Sequence, residues 1–198
     1  KPGDKNAKPI LRSNNQDMGM EFTYSTWIYF NDDNFTSYNG GVIKHLFNKG
    51  ALPTLASNNS SSELISGMKI ENCPGLYLDG TVNKFYIVMD TFGQEGGNEV
   101  VEVPDIPVKK WFCTTIILQN AKNHSDMTKD VDVNEGPSHI MDIYINGNLK
   151  KSKLIKSIPR QNNGDLWVNL FGGFSGYISR LQYYSYAPDY KEVEDYLT

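Results

Sequence analysis

The sequence predicts an all-β protein built as two stacked antiparallel sheets, and three observations carry that expectation. Apolar and aromatic residues recur with a period of two in several short runs, no stretch sustains the period of a long helix, and clusters rich in Gly, Asn and Asp separate the runs. A chain of 198 residues is long enough for one large sandwich with a shared core, which favours a single domain over residues 1–198.

Lys1 to Gln16 is polar and turn-rich apart from Ile10 and Leu11, a pair suited to an added edge strand. Met20 to Phe30 follows, with Phe22, Tyr24, Thr26, Ile28 and Phe30 on one face and Glu21, Thr23, Ser25, Trp27 and Tyr29 on the other. The first face reads as core. The second is also partly apolar through Trp27 and Tyr29, so it is expected to be covered or used.

Val42 to Phe47 reads as a strand ending at Lys49-Gly50, and His45 falls on it as an edge-strand residue. Ala51 to Gly67, with NNSSS at its centre, is too polar to bury and is expected to be a surface loop. Leu76 to Leu78 and Lys84 to Thr91 predict a hairpin across residues 79–83. Val100, Val101 and Val103 suggest a short strand stopped by Pro104. Trp111 to Leu118 is the most continuously apolar run, as befits the middle of a sheet.

Asn146-Gly147 between alternating hydrophobics is a strong hairpin signal, since both central residues of the tight turn need positive φ. Before it, Gln119 to Ser138 forms a long polar loop, a length at which loops are usually functional or disordered. Asp165 to Tyr190 closes the chain with a strand, a glycine bend at Gly172, Gly173 and Gly176, and a second strand. The glycines predict a close crossing of backbones at a buried corner. Glu192 to Leu197 adds a helical turn. In the resulting sandwich Phe22, Ile117, Ile143 and Leu181 are expected to share one interior.

The closing stretch, with Phe174, Gly176, Ile178, Leu181, Tyr183, Tyr184 and Ala187 in order, resembles the end of laminin-G-like domains of the concanavalin A-like lectin and glucanase superfamily. The Phe22 to Ile28 run resembles the strand that opens such domains, and Tyr144-Ile145-Asn146-Gly147 resembles their hairpin turn. The resemblance implies a jelly-roll sandwich from about Met20 onward. It departs at Ser179, where the family often has an acid, and at the length of the 119–138 loop. Fold is what it implies; the superfamily hosts lectins, glycosidases, adhesion modules and structural parts alike.

Composition narrows the function classes. A net charge of −4 with mostly dispersed lysines argues against a phosphate-tracking surface, so no nucleic-acid partner is expected. No apolar run approaches the roughly 20 residues of a membrane helix, and no signal-peptide core opens the chain. The chain begins without Met and is read as a piece of a longer product, with room for an anchor upstream. Cys73 and Cys113 permit one disulfide without demanding it, two buried thiols being the alternative. Sequons at Asn34, Asn58, Asn59 and Asn123 give weak support to a secreted or surface location.

No catalytic residue is assigned. Glycosidases of the superfamily align two or three acids on one strand, and no such run occurs; Glu99, Glu102 and Asp105, like Asp130, Asp132 and Glu135, read better as solvated charge. His45, His124 and His139 are scattered, with no nucleophile elbow beside them. No cofactor is expected. Asp130, Asp132 and Asn134 alternate as oxygen ligands for calcium would, and superfamily members hold calcium at the sandwich rim, but a flexible acidic loop is the plainer reading.

For carbohydrate recognition, which needs flat ring faces beside hydrogen-bonding groups, the candidates are Trp27, Trp167, Tyr184 and Tyr186; structural packing is the competing role of each. The favoured expectation is a non-catalytic interaction module recognising glycan or protein at a cell or particle surface. A structural component of a virion or extracellular assembly is the alternative, and a divergent glycoside hydrolase the third.

Overall fold

The computed structural model describes residues 10, 12–13, 15–16, 19–35, 43–52, 71–92, 98–121, 139–170 and 172–197. It is a sandwich of two antiparallel five-stranded sheets, as the alternation predicts. Asn15–Gln16 (β1) and Gly19–Met20 (β2) form a small separate hairpin. The remaining strands are Phe22–Phe30 (β3), Lys44–Gly50 (β4), Asn72–Leu78 (β5), Lys84–Asp90 (β6), Asn98–Pro104 (β7), Trp111–Asn120 (β8), His139–Ile145 (β9), Asn148–Ile155 (β10), Asp165–Val168 (β11) and Gly176–Tyr184 (β12). A short helix, Tyr190–Asp195 (α1), ends the described chain.

Sheet I runs β10-β9-β8-β3-β12 and sheet II runs β11-β4-β5-β6-β7. The apolar β8 does lie at the centre of its sheet. β4, by contrast, is an inner strand, because β11 pairs outside it; His45 is therefore not at an edge but buried, 1% exposed. The exposed edge β10 carries Lys150 and Lys151, charges that discourage another chain from adding to an open strand.

Between the sheets lies one continuous core. Phe22, Ile28 and Phe30 of β3, Phe112, Ile116 and Leu118 of β8, and Met141 and Ile143 of β9 meet Leu46, Leu76, Phe85, Ile87 and Val101 of sheet II. Phe30 is wholly buried, its ring 5.7 Å from both Phe85 and Phe112 and 5.1 Å from Phe174. Of the four residues expected to mark the interior, Phe22, Ile143 and Leu181 do so, but Ile117 does not belong to that cluster. It is cross-strand partner to Thr23, so alternation turns it to the outer face of sheet I, where it is still buried.

The closing stretch does not fold back as a hairpin. β11 pairs β4 in sheet II and β12 pairs β3 in sheet I, so the glycine bend carries the chain from one sheet to the other. Asn34, wholly buried in a 3-10 turn at Asp32–Phe35, clamps this crossing: its amide nitrogen donates to the Ser175 carbonyl (2.6 Å) and its oxygen accepts from the Ser175 N–H (2.7 Å). With both ends engaged, the Asn34 sequon is closed to a glycan in the folded protein. Asn58, Asn59 and Asn123 lie outside the described residues, as does most of the two long loops.

The cysteines are free. Cys73 faces the inter-sheet core while Cys113 lies on the outer face of sheet I, so a bridge would have to pass through a sheet. Burial pushes the Cys73 thiol up to about 12, away from thiolate chemistry. Near it, Lys49 is 4% exposed and donates to the carbonyls of Gly164 (2.5 Å) and Asn162 (3.3 Å), and burial lowers its basicity. The Lys-Gly strand end is thus a buried tie to the segment before β11.

His45 gives the fold a predictable pH response. Its Nδ1 accepts from the Leu170 N–H (3.1 Å), so the proton sits on Nε2, which meets Asn48 Oδ1 at 2.9 Å. Burial holds the imidazole below its ordinary value of 6.5, as it does for His139. The native state then binds fewer protons than the unfolded chain, so stability is fully present above pH 6.5 and is lost as pH falls through the lowered values. The melting temperature should fall between pH 7 and 5, with a shallower slope in His45→Asn, which retains an acceptor without the charge. A wild-type profile that is flat over that range, measured by calorimetry, would refute it.

Candidate functional site

The outer face of sheet I divides into a covered half and an open half. After β12 the chain turns back across it: Thr23 Oγ1 donates to the Tyr186 carbonyl (2.9 Å), Tyr196 stacks on Tyr184 at 4.7 Å and 14°, and Val193 is buried. A capping box fixes the start of α1, Asp189 accepting from the Glu192 N–H (2.9 Å) while the Glu192 carboxylate accepts from the Asp189 N–H (3.1 Å). This strap covers Ser25, Cys113 and Thr115, whose hydrogen-bonding atoms meet one another, and it runs on toward the β9–β10 turn, where Leu197 approaches Gly147.

Beyond the strap, three strands place aromatic rings in one cross-strand row. Tyr29 on β3 is partner to Trp111 on β8 and to Tyr177 on the edge strand β12. The ring centroids lie 5.8 Å (Tyr29–Trp111) and 6.0 Å (Tyr29–Tyr177) apart, all tilted. Tyr177 is 64% and Trp111 47% exposed, unusual for rings that a monomer would otherwise bury.

One row inward, Trp27 lies between Ser179 and Cys113. Trp27, Trp111, Ser179, Arg180 and Leu197 line a groove of about 300 Å³. The Trp27 indole Nε1–H is buried and has no hydrogen-bond partner among the described residues, although such donors normally find one. Arg180 stands where β12 bulges between Ser179 and Gln182, its φ of 49° in the left-handed region that few arginines adopt. Gly176 precedes the row with φ 151°, and a Cβ there would run into the Tyr29 carbonyl oxygen, so glycine is what lets β12 lie this close to β3.

The four rings proposed from sequence are not brought together. Trp27 lines the groove. Tyr184 and Tyr186 share its sheet face but lie at the strap, with Tyr184 stacked on Tyr196. Trp167 belongs to sheet II, where its Nε1–H donates to the Gly50 carbonyl (3.1 Å). Sequence reasoning did not single out Trp111 and Tyr177 as contact residues. A signal existed in Trp111, whose parity with Cys113 sets it opposite the core residue Phe112, but the row depends on register across three strands.

Among the described residues, three further acids are engaged within the fold. Glu99 pairs with Lys153 (2.7 Å) and Glu102 with Lys84 (2.9 Å). Asp79, despite burial that opposes ionisation, is held below the usual carboxylate range by hydrogen bonds from Thr81, Tyr86 and Val82. Among the described residues no group of three His, Cys, Asp or Glu side chains is placed to hold a metal. The calcium candidates Asp130, Asp132 and Asn134 lie outside the described residues. No described helix is long and apolar enough to cross a membrane.

Fold and surface together define a two-sheet β-sandwich with an aromatic groove on one outer face. No protein-family model and no curated protein matches the chain. Among solved structures, it is similar to the botulinum neurotoxin type G receptor binding domain, with TM-score 0.53 and 16% identity over 92% of this chain and 40% of that one. It is also similar to the botulinum neurotoxin serotype D binding domain (0.53, 15%, 96% and 37%) and to the binding domain of Paraclostridial Mosquitocidal Protein 1 (0.55, 16%, 91% and 37%). The chain spans about two fifths of the length of these structures, and at such identities the likeness is one of fold.

Proposed function

We propose that this chain is a non-catalytic, saccharide-recognising module acting outside the cell, at a cell or particle surface. The observation that carries the reading is the row Tyr177–Tyr29–Trp111, its outer two rings exposed, beside the Trp27 groove. Flat rings offer a sugar ring's C–H face an apolar platform at little cost in conformational entropy, while indole and hydroxyl groups reach its oxygens. The groove is at the lower end of the size range of small-ligand sites. The resemblance of the opening and closing stretches to laminin-G-like domains supports the reading, as do neighbours in fold that are receptor binding domains.

Glycan-array screening followed by titration calorimetry tests it. Trp111→Ala and Tyr177→Ala are each expected to weaken binding by about tenfold, in the range of exposed aromatic anchors. Unfolding free energy should change by no more than about 0.5 kcal/mol, since both side chains are exposed. An array that stays blank, together with a native assembly in which these rings are wedged against another chain, would replace the saccharide reading with a structural one.

A further inference from the structure

We infer that the strap from Tyr186 to Leu197 is a lid, which lifts from the outer face of sheet I while the sandwich stays folded and so adds the covered half of that face to the groove. The lid is read from the strap's own contacts; that the face beneath it takes a saccharide rests on the reading above. At Ser25, Cys113 and Thr115 the strap covers hydroxyls and a thiol. Ser25 Oγ lies 3.2 Å from Thr115 Oγ1 and 3.4 Å from Cys113 Sγ, hydrogen bonds made within the sheet that survive removal of the cover. Wetting such groups costs far less than wetting an apolar layer, so these residues give the strap little hold. Val193 is the one buried residue of α1.

The strap can also move as a unit. Both bonds of the Asp189–Glu192 capping box are made inside it, so lifting breaks neither. Its ties to the sheet include the Thr23 Oγ1 bond to the Tyr186 carbonyl (2.9 Å), the stack of Tyr196 on Tyr184, and a 3.9 Å contact of Cys113 Sγ with the Tyr196 carbonyl. At the far end Leu197 lines the groove with Trp27, whose buried Nε1–H has no partner among the described residues. Closure thus leaves a donor unsatisfied that water reaches once the strap lifts, a penalty of the closed state alone. Opening extends the groove along β3 from Trp27 past Ser25 to Thr23, about 13 Å of strand, and frees the Tyr184 ring beside it.

Cys113, 1% exposed under the strap, reports the opening, and Cys73 in the inter-sheet core is the internal comparison. Iodoacetamide labelling of the whole chain, read by peptide mass spectrometry, should modify Cys113 at least about tenfold faster than Cys73. In low urea the Cys113 rate should stay nearly flat, since local opening exposes little surface, while the Cys73 rate climbs with the slope of global unfolding. Val193→Ala and Thr23→Val, each removing one hold, should speed Cys113 labelling about fivefold or more and leave Cys73 within about twofold. A fluorescein maleimide, bulkier than a pyranose ring, should reach Cys113 as well, as a lifted strap that clears room for a ligand requires. Cys113 and Cys73 labelled at one rate with one urea slope, variants without effect, or a thiol open to iodoacetamide but closed to the maleimide would each overturn the lid and leave the saccharide reading standing. A blank glycan array with Cys113 labelled as expected would remove the saccharide reading and leave the lid.

Discussion

Phe30→Ala is expected to lower the unfolding free energy by about 3–5 kcal/mol, the usual range for emptying a buried phenylalanine site. The side chain is wholly buried and touches rings from three directions: Phe112 beside it in sheet I, Phe85 across the interface in sheet II, and Phe174 from the glycine bend. Phe112 and Phe85 belong to separate strands whose positions are fixed by ladder hydrogen bonds, so the site cannot close fully over the lost ring. Both the transfer term and the cavity term are then felt. In urea the midpoint should drop with little change in slope, because the surface exposed on unfolding stays similar. Phe30→Leu should recover a good part of the loss. A change below about 1 kcal/mol would mean that this aromatic cluster does not join the two sheets.

Gly176→Ala is expected to cost about 3 kcal/mol or more and to impair the groove as well. Two effects add. The backbone sits at φ 151°, a region that side chains rarely enter, and the new Cβ would meet the Tyr29 carbonyl oxygen, which is backbone and cannot swing away. Relief requires β12 to move off β3, and the partner pair next in register is Tyr177 with Tyr29, the middle of the aromatic row. Stability and affinity for the proposed saccharide ligand should therefore fall together, with amide exchange accelerating along β12 first. Gly172→Ala is the internal comparison: its φ of 81° is also left-handed, but nothing lies within 4 Å of an added Cβ. Only the conformational term applies, about 1 kcal/mol, and the groove should be unaffected. Equal effects at the two glycines would refute the steric argument.

Much of the fold was legible because alternation is a local property. The runs around Phe22–Phe30 and Lys84–Asp90 expose their period of two without reference to any partner, and Asn146-Gly147 names its turn by its own φ requirement. Pairing was less legible. The glycine bend reads as a close crossing of backbones, but nothing local tells which strand β11 will join. Ile117 shows the same limit: within a continuously apolar run, buried on both faces, parity alone does not say which face is the interior.

The site was legible only in part, and for a related reason. That Trp27 and Tyr29 stand opposite the core face follows from their parity with Ile28 and Phe30. Sequence by itself determined that two-faced strands must stack on one apolar interior, and that an aromatic surplus would be left on a second face. Tertiary structure decided which half of that face the strap from Tyr186 to Leu197 covers, and that Tyr177 and Trp111, 66 positions apart in the chain, become neighbours through Tyr29. The physical reason is that hydrophobic periodicity acts within a strand, whereas register and coverage are set by hydrogen bonds and contacts between segments far apart in sequence.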